Sequence, residues 1–94
     1  MLEVTERAKE ELKKILIEQN VHDPEAAMRL VIDPSGEFRF CIDIEFPEDQ
    51  VSNYKGSPVL RLTPEVANRF EGQILDIKDF PDGPDFVLIP KEKK

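Results

Sequence analysis

The chain is short of the residues that soft-metal and redox chemistry require. Cysteine occurs once, at Cys41, among 94 residues, which excludes an intrachain disulfide framework and a Cys-only metal site within one chain. Histidine also occurs once, as His22 in Asn20-Val21-His22-Asp23-Pro24, and no thiol or second imidazole stands near it to complete a metal or catalytic set. Glycine numbers four, and Ser35-Gly36 lacks the repeated glycines and the lysine of a phosphate loop. Ser35, Ser52 and Ser57 fall in polar turns or strand starts without the elbow motif of a serine nucleophile. No apolar run approaches the ~20 residues of a membrane span, and no basic start leads into an apolar stretch. Basic residues are outnumbered 13 to 20, a formal charge of −7, so the long-range field repels nucleic acid and anionic membranes. Linkers, repeats and low-complexity segments are also missing. The expectation is a cytoplasmic protein with one domain over residues 1–90 and a solvated tail, Lys91-Glu92-Lys93-Lys94.

What is present is a strong alternation of helix and strand signals. Thr5 is a fitting N-cap and Ala8, Leu12, Ile15 and Leu16 recur at helical spacing, which predicts a helix from Thr5 to about Gln19. Leu2 and Val4 suggest a short strand before it. Ala27–Asp33 alternates, with Met28, Leu30 and Ile32 on one side and Arg29, Val31 and Asp33 on the other, as a half-buried strand requires. Across the turn Pro34-Ser35-Gly36-Glu37, Phe38, Phe40, Ile42, Ile44 and Phe46 share one parity and Arg39, Cys41, Asp43 and Glu45 the other. This pattern predicts a nine-residue strand, Phe38 to Phe46, paired antiparallel with the preceding one and burying its aromatic stripe in the core. Val51–Tyr54 and Ser57–Leu62 read as strands joined through Lys55-Gly56, with Pro58 favouring an edge. Thr63-Pro64-Glu65 opens a short helix that Gly72 closes. Gln73–Phe80 and Asp85–Ile89 read as strands about an Asp-Gly turn, and Phe86-Val87-Leu88-Ile89, apolar at both parities, is expected to be buried on both faces.

The order of these elements resembles the HesB/IscA-like family, the A-type iron–sulfur carriers. The likeness rests on Val4-Thr5-Glu6-Arg7-Ala8, Met28-Arg29-Leu30-Val31-Ile32 before Ser35-Gly36, Tyr54-Lys55-Gly56 before Val59-Leu60, Glu71-Gly72-Gln73-Ile74-Leu75-Asp76-Ile77, and Pro84-Asp85-Phe86-Val87-Leu88. The resemblance implies an α+β fold, mostly β, with a compact sandwich-like or barrel-like core, a long N-terminal helix and one short helix in the second half. Family members that carry iron or clusters have a cysteine directly after the Ser-Gly pair and two more near the C-terminus. Here Glu37 follows Ser35-Gly36 and no cysteine follows Cys41, so no ligand carries over. The resemblance therefore implies a scaffold without its coordinating set: a non-catalytic interaction module with no cofactor, meeting a protein partner such as an iron–sulfur assembly component.

Two substitutes for the missing ligands suggest themselves, Cys41 and the carboxylates near Glu37, used across an oligomer. Cys41 lies four positions beyond Glu37 on an extended strand, about 13 Å away, whereas a metal–thiolate bond is about 2.3 Å. One thiolate per chain also falls short of the four that normally hold a cluster. Its parity places Cys41 on the polar face beside Asp43. Glu37, Asp43, Glu45, Glu48 and Asp49, with Asp33 across the hairpin, form an acidic stretch that suits a hard cation by residue type, yet without EF-hand spacing they read as a solvated face that Arg39 partly neutralises. Monomer and homodimer both fit the pattern.

Overall fold

The structure is a computed structural model and describes residues 2–91. Nine elements follow in chain order: β1 (Glu3–Val4), α1 (Glu6–Glu18), β2 (Ala27–Ile32), β3 (Phe38–Asp43), β4 (Gln50–Tyr54), β5 (Ser57–Leu62), α2 (Pro64–Arg69), β6 (Gln73–Phe80) and β7 (Gly83–Pro90). The strands form two sheets, one of three strands in the order β1-β6-β7 and one of four in the order β3-β2-β5-β4. The sheets are not closed into a barrel.

Helix α1 joins the two sheets. Its cap Thr5 accepts a hydrogen bond from the Ala8 N–H at 3.2 Å and donates its hydroxyl to Asp76 Oδ1 at 2.7 Å, while the Thr5 N–H donates to the Leu75 carbonyl. One residue thus satisfies an orphan donor of the helix and ties it to β6. Ala8, Leu12 and Leu16 are buried at helical spacing, and the helix packs on β4, β5 and β6. Leu12, Leu30, Val59, Leu60, Leu62 and Leu75 are fully buried and form the centre of the core. None of the described helices is long and apolar enough to cross a membrane.

The β2–β3 hairpin forms with the expected pairing, Val31 opposite Arg39 and Arg29 opposite Cys41. Three expectations fail. The strand from Phe38 ends at Asp43 rather than Phe46, and Ile42, Ile44 and Phe46 are 43%, 55% and 39% exposed. β3 is an outer strand, so a period-two stripe there runs past the edge of the core. Only its first part is covered: Phe38 and Phe40 stack edge-to-face at 5.8 Å, and Phe40 meets Phe86 at 4.8 Å. β5 is an inner strand, not an edge. It tolerates Pro58 because β2 pairs with it only at Leu60 and Arg61, and the β4 register shifts beside Asn53, opposite the proline. Finally, β7 is itself an outer strand, so Phe86, Val87 and Leu88 are half-buried and Ile89 exposed.

Lys91 follows β7, its N–H donating to the Gly72 carbonyl at 2.8 Å and its ammonium meeting Glu3 at 2.7 Å. The rest of the expected tail, Glu92-Lys93-Lys94, lies outside the described residues.

Candidate functional site

The turn between β2 and β3 holds Ser35-Gly36-Glu37, the position that the family resemblance singles out. Gly36 takes φ +90°, a left-handed conformation that glycine adopts without strain, and its N–H donates to the Asp33 carbonyl at 2.9 Å. The Asp33 N–H in turn donates to the Glu37 carbonyl at 2.8 Å. The turn is then locked by the Asp33 side chain. Its Oδ1 accepts from the Ser35 N–H at 2.9 Å, from the Ser35 hydroxyl, and from the Glu37 N–H at 3.1 Å. Its Oδ2 accepts from Arg39 Nε at 2.8 Å. The Arg39 guanidinium first, and the Ser35 hydroxyl next, hold this carboxyl well below the usual carboxylate range. A carboxylate offers about two acceptor directions per oxygen; here three donors converge on Oδ1 and Arg39 takes one direction of Oδ2. Asp33 is therefore committed to the turn itself.

Glu37 is exposed immediately before β3, and Cys41 is exposed on it. Asp33 and Glu37 are brought together by the turn; Glu45 and Glu48 are exposed, while Asp43 and Asp49 turn to Arg29. Arg29, 3% exposed, sits in the middle of β2 on the side expected to be wet. Its Nη1 and Nη2 donate to the two oxygens of Asp49 at 2.9 and 2.7 Å, and Nη2 also donates to the Ile44 carbonyl at 2.9 Å. Asp43 adds an ion pair at 3.3 Å, and the Phe46 ring lies 4.0 Å from the guanidinium carbon. Asp49, its side chain 1% exposed, also accepts from the Phe46 N–H at 2.8 Å. Its carboxyl is held below the usual range, chiefly by Arg29. The chain leaves β3 at Asp43 because Arg29 gathers Ile44, Phe46 and Asp49 over the sheet.

Arg61 stands beside Arg29 in the β2–β5 register, 4% exposed, and donates to the Glu25 carbonyl at 2.9 Å. Neither buried arginine was singled out by sequence pattern. The one available signal for Arg29 is cross-strand placement, since the hairpin register sets Asp43 opposite Ala27, two residues from Arg29 on the same face.

His22 lines a shallow cleft with Lys13, Asp23 and Pro24, and the Asp23 carboxylate is occupied by the Glu25 N–H at 2.9 Å. This brings no acid–base set together. Among the described residues, no group of three or more His, Cys, Asp and Glu side chains is placed to hold a metal ion.

Two unequal sheets bridged by an N-terminal helix, with a short second helix between β5 and β6, constitute the fold of the A-type iron–sulfur carriers. The chain superposes on IscA solved with its [2Fe–2S] cluster with a TM-score of 0.59 at 20% identity, over 96% of this chain and 85% of that one. Escherichia coli SufA, involved in the biosynthesis of iron–sulfur clusters, gives 0.66 at 15% identity over 95% and 84%. The solution NMR structure of a protein from Aquifex aeolicus gives 0.60 at 26% identity over 93% and 88%. No family model and no curated protein matches the sequence.

Proposed function

We propose that this protein is a relative of the IscA and SufA scaffolds that does not coordinate a cluster at its Ser35-Gly36 turn. It acts instead as a non-catalytic, cytoplasmic interaction module toward iron–sulfur assembly components. The observation that carries this reading is the state of the turn. Glu37 stands where a thiolate would be needed, and the neighbouring Asp33 carboxylate is engaged through both oxygens by four donors of its own hairpin. Asp43 and Asp49, farther along the same acidic stretch, are engaged by Arg29. A cluster needs several soft donors free to approach one point, and this surface supports a partner's polar groups better than iron.

Anaerobic reconstitution with ferrous iron and sulfide, followed by visible absorption and metal analysis, tests the reading. The expected result is no charge-transfer band stoichiometric with protein after desalting. A stoichiometric band that disappears in Cys41→Ala would replace it with a carrier using Cys41, and one that disappears in Glu37→Gln with a carrier using that carboxylate.

A further inference from the structure

The outer edge of β3 carries a self-complementary pattern. The Asp33 N–H donates to the Glu37 carbonyl, and the ladder continues with Arg39 opposite Val31, Cys41 opposite Arg29 and Asp43 opposite Ala27. By the alternation of an antiparallel ladder, these odd-numbered residues direct their backbone groups toward β2, and Phe38, Phe40 and Ile42 direct theirs away from it. That is the side on which the four-stranded sheet ends. Arg39, Cys41 and Ile42 are exposed, and the Asp43 side chain is 33% exposed.

We propose that two copies of this chain pair antiparallel through β3 about a two-fold axis at Cys41. In that register Phe40 faces the partner's Ile42 as a hydrogen-bonded pair, twice by symmetry, for about four interchain backbone hydrogen bonds. Arg39 faces the partner's Asp43 on the opposite face of the strand, so both faces match, one by apolar contact and one by charge. Arg39 commits its Nε to Asp33, which leaves the Nη groups for the partner's carboxylate. Moving the axis to Phe40 sets Arg39 against the partner's Cys41. Moving it to Ile42 sets Asp43 against the partner's Cys41, and its Arg39 pairing then needs Glu45, beyond the end of the strand. Only the Cys41 axis joins the opposite charges within β3. It also brings the two Cys41 residues together as a non-hydrogen-bonded pair, with Cα atoms about 4.5 Å apart, within disulfide reach. A single strand edge buries less than a standard interface, so the association falls at about 1–100 µM.

Sedimentation velocity of the full chain over about 1–500 µM, spanning that range, should show a reversible dimer. Ile42→Lys places a charge at the edge, and Arg39→Glu sets acid against acid; each should weaken the dimer about tenfold or more. Diamide, which takes two electrons and two protons from a pair of thiols as the disulfide forms and is itself reduced to the hydrazine, should link wild-type chains through Cys41. In Cys41→Ala/Arg39→Cys the thiols face the partner's Asp43 and should not link. Far-UV circular dichroism like the wild type's establishes that each variant is folded, and if Ile42→Lys fails it, Arg39→Glu and the cross-linking pair carry the test. A monomer throughout, a dimer unmoved by the folded edge variants, or equal linking from position 39 would overturn the proposal.

Discussion

Burying a guanidinium costs several kcal/mol unless its charge and its donors are matched, and at Arg29 this chain matches the charge and the Nη donors, leaving Nε with an ion-pair contact alone. Asp49 receives it bidentately, Asp43 approaches its Nε, and the Ile44 carbonyl and Phe46 ring close over it. Asp49→Ala leaves a buried cation short of its main partner and should destabilise the fold by about 3–5 kcal/mol in urea denaturation. A loss below about 1 kcal/mol would mean that Asp43 alone suffices. The same pair sets an acid response. Arg29 lowers the Asp49 pKa in the folded chain, and Arg39 lowers that of Asp33. The unfolded chain, with aspartates near about 3.9, therefore binds more protons as acid is added. The stability these groups contribute is full above about pH 5 and is lost as pH falls through about 4 toward their folded values. Asp49→Asn should flatten that acid limb, measured as midpoint against pH between about 2 and 7. An unchanged slope would assign the acid sensitivity to other carboxyls.

At the scale of elements, short-range chemistry decides where structure begins, and long-range partners decide where it stops. Thr5 is legible as a cap because an oxygen one residue before an amphipathic stretch has a definite job. Its second bond, to Asp76, comes from the far end of the chain and has no local signature. Thr5→Val keeps the branched shape and loses both bonds. It should cost about 1–2 kcal/mol, a fall in Tm of about 4–8 °C per kcal/mol, while Thr5→Ser stays near wild type. Equal melting of both variants would deny the hydroxyl this role. The hairpin and its turn were legible for the same local reason, since Asp33, Gly36 and the alternation after Phe38 lie within a few residues of one another. The end of β3 at Asp43 was not, because it depends on Arg29, more than a dozen positions earlier, drawing Ile44 and Asp49 to itself. That Glu37, and not a thiol, follows Ser35-Gly36 was also readable. The engagement of Asp33 through both oxygens became visible only with Arg39 and the turn's donors in place.

On the scale of the whole molecule, neither sheet has a core of its own. Helix α1 packs on β4 and β5 of one and on β6 of the other, and Leu12, fully buried, lies with Leu60 and Leu75 in one cluster. Leu12→Ala should cost about 2–5 kcal/mol. Because both sheets depend on that cluster, unfolding should remain a single transition, with hydrogen exchange of β5 and β6 accelerated together. Acceleration confined to one sheet would show that the sheets are independently stable.

What sequence by itself determined is the local grammar: a capped amphipathic helix, strands of period two, glycine and proline at the turns, and a single thiol in a chain with net negative charge. These follow from bonds and spacings within a few residues. Only the tertiary structure decided which apolar stripe is covered and which arginine is buried, because burial depends on what stands opposite. β3 and β7 fell at the outside of their sheets, so Ile42, Ile44 and Ile89 meet solvent. β2 fell inside, and there Arg29 found its carboxylates.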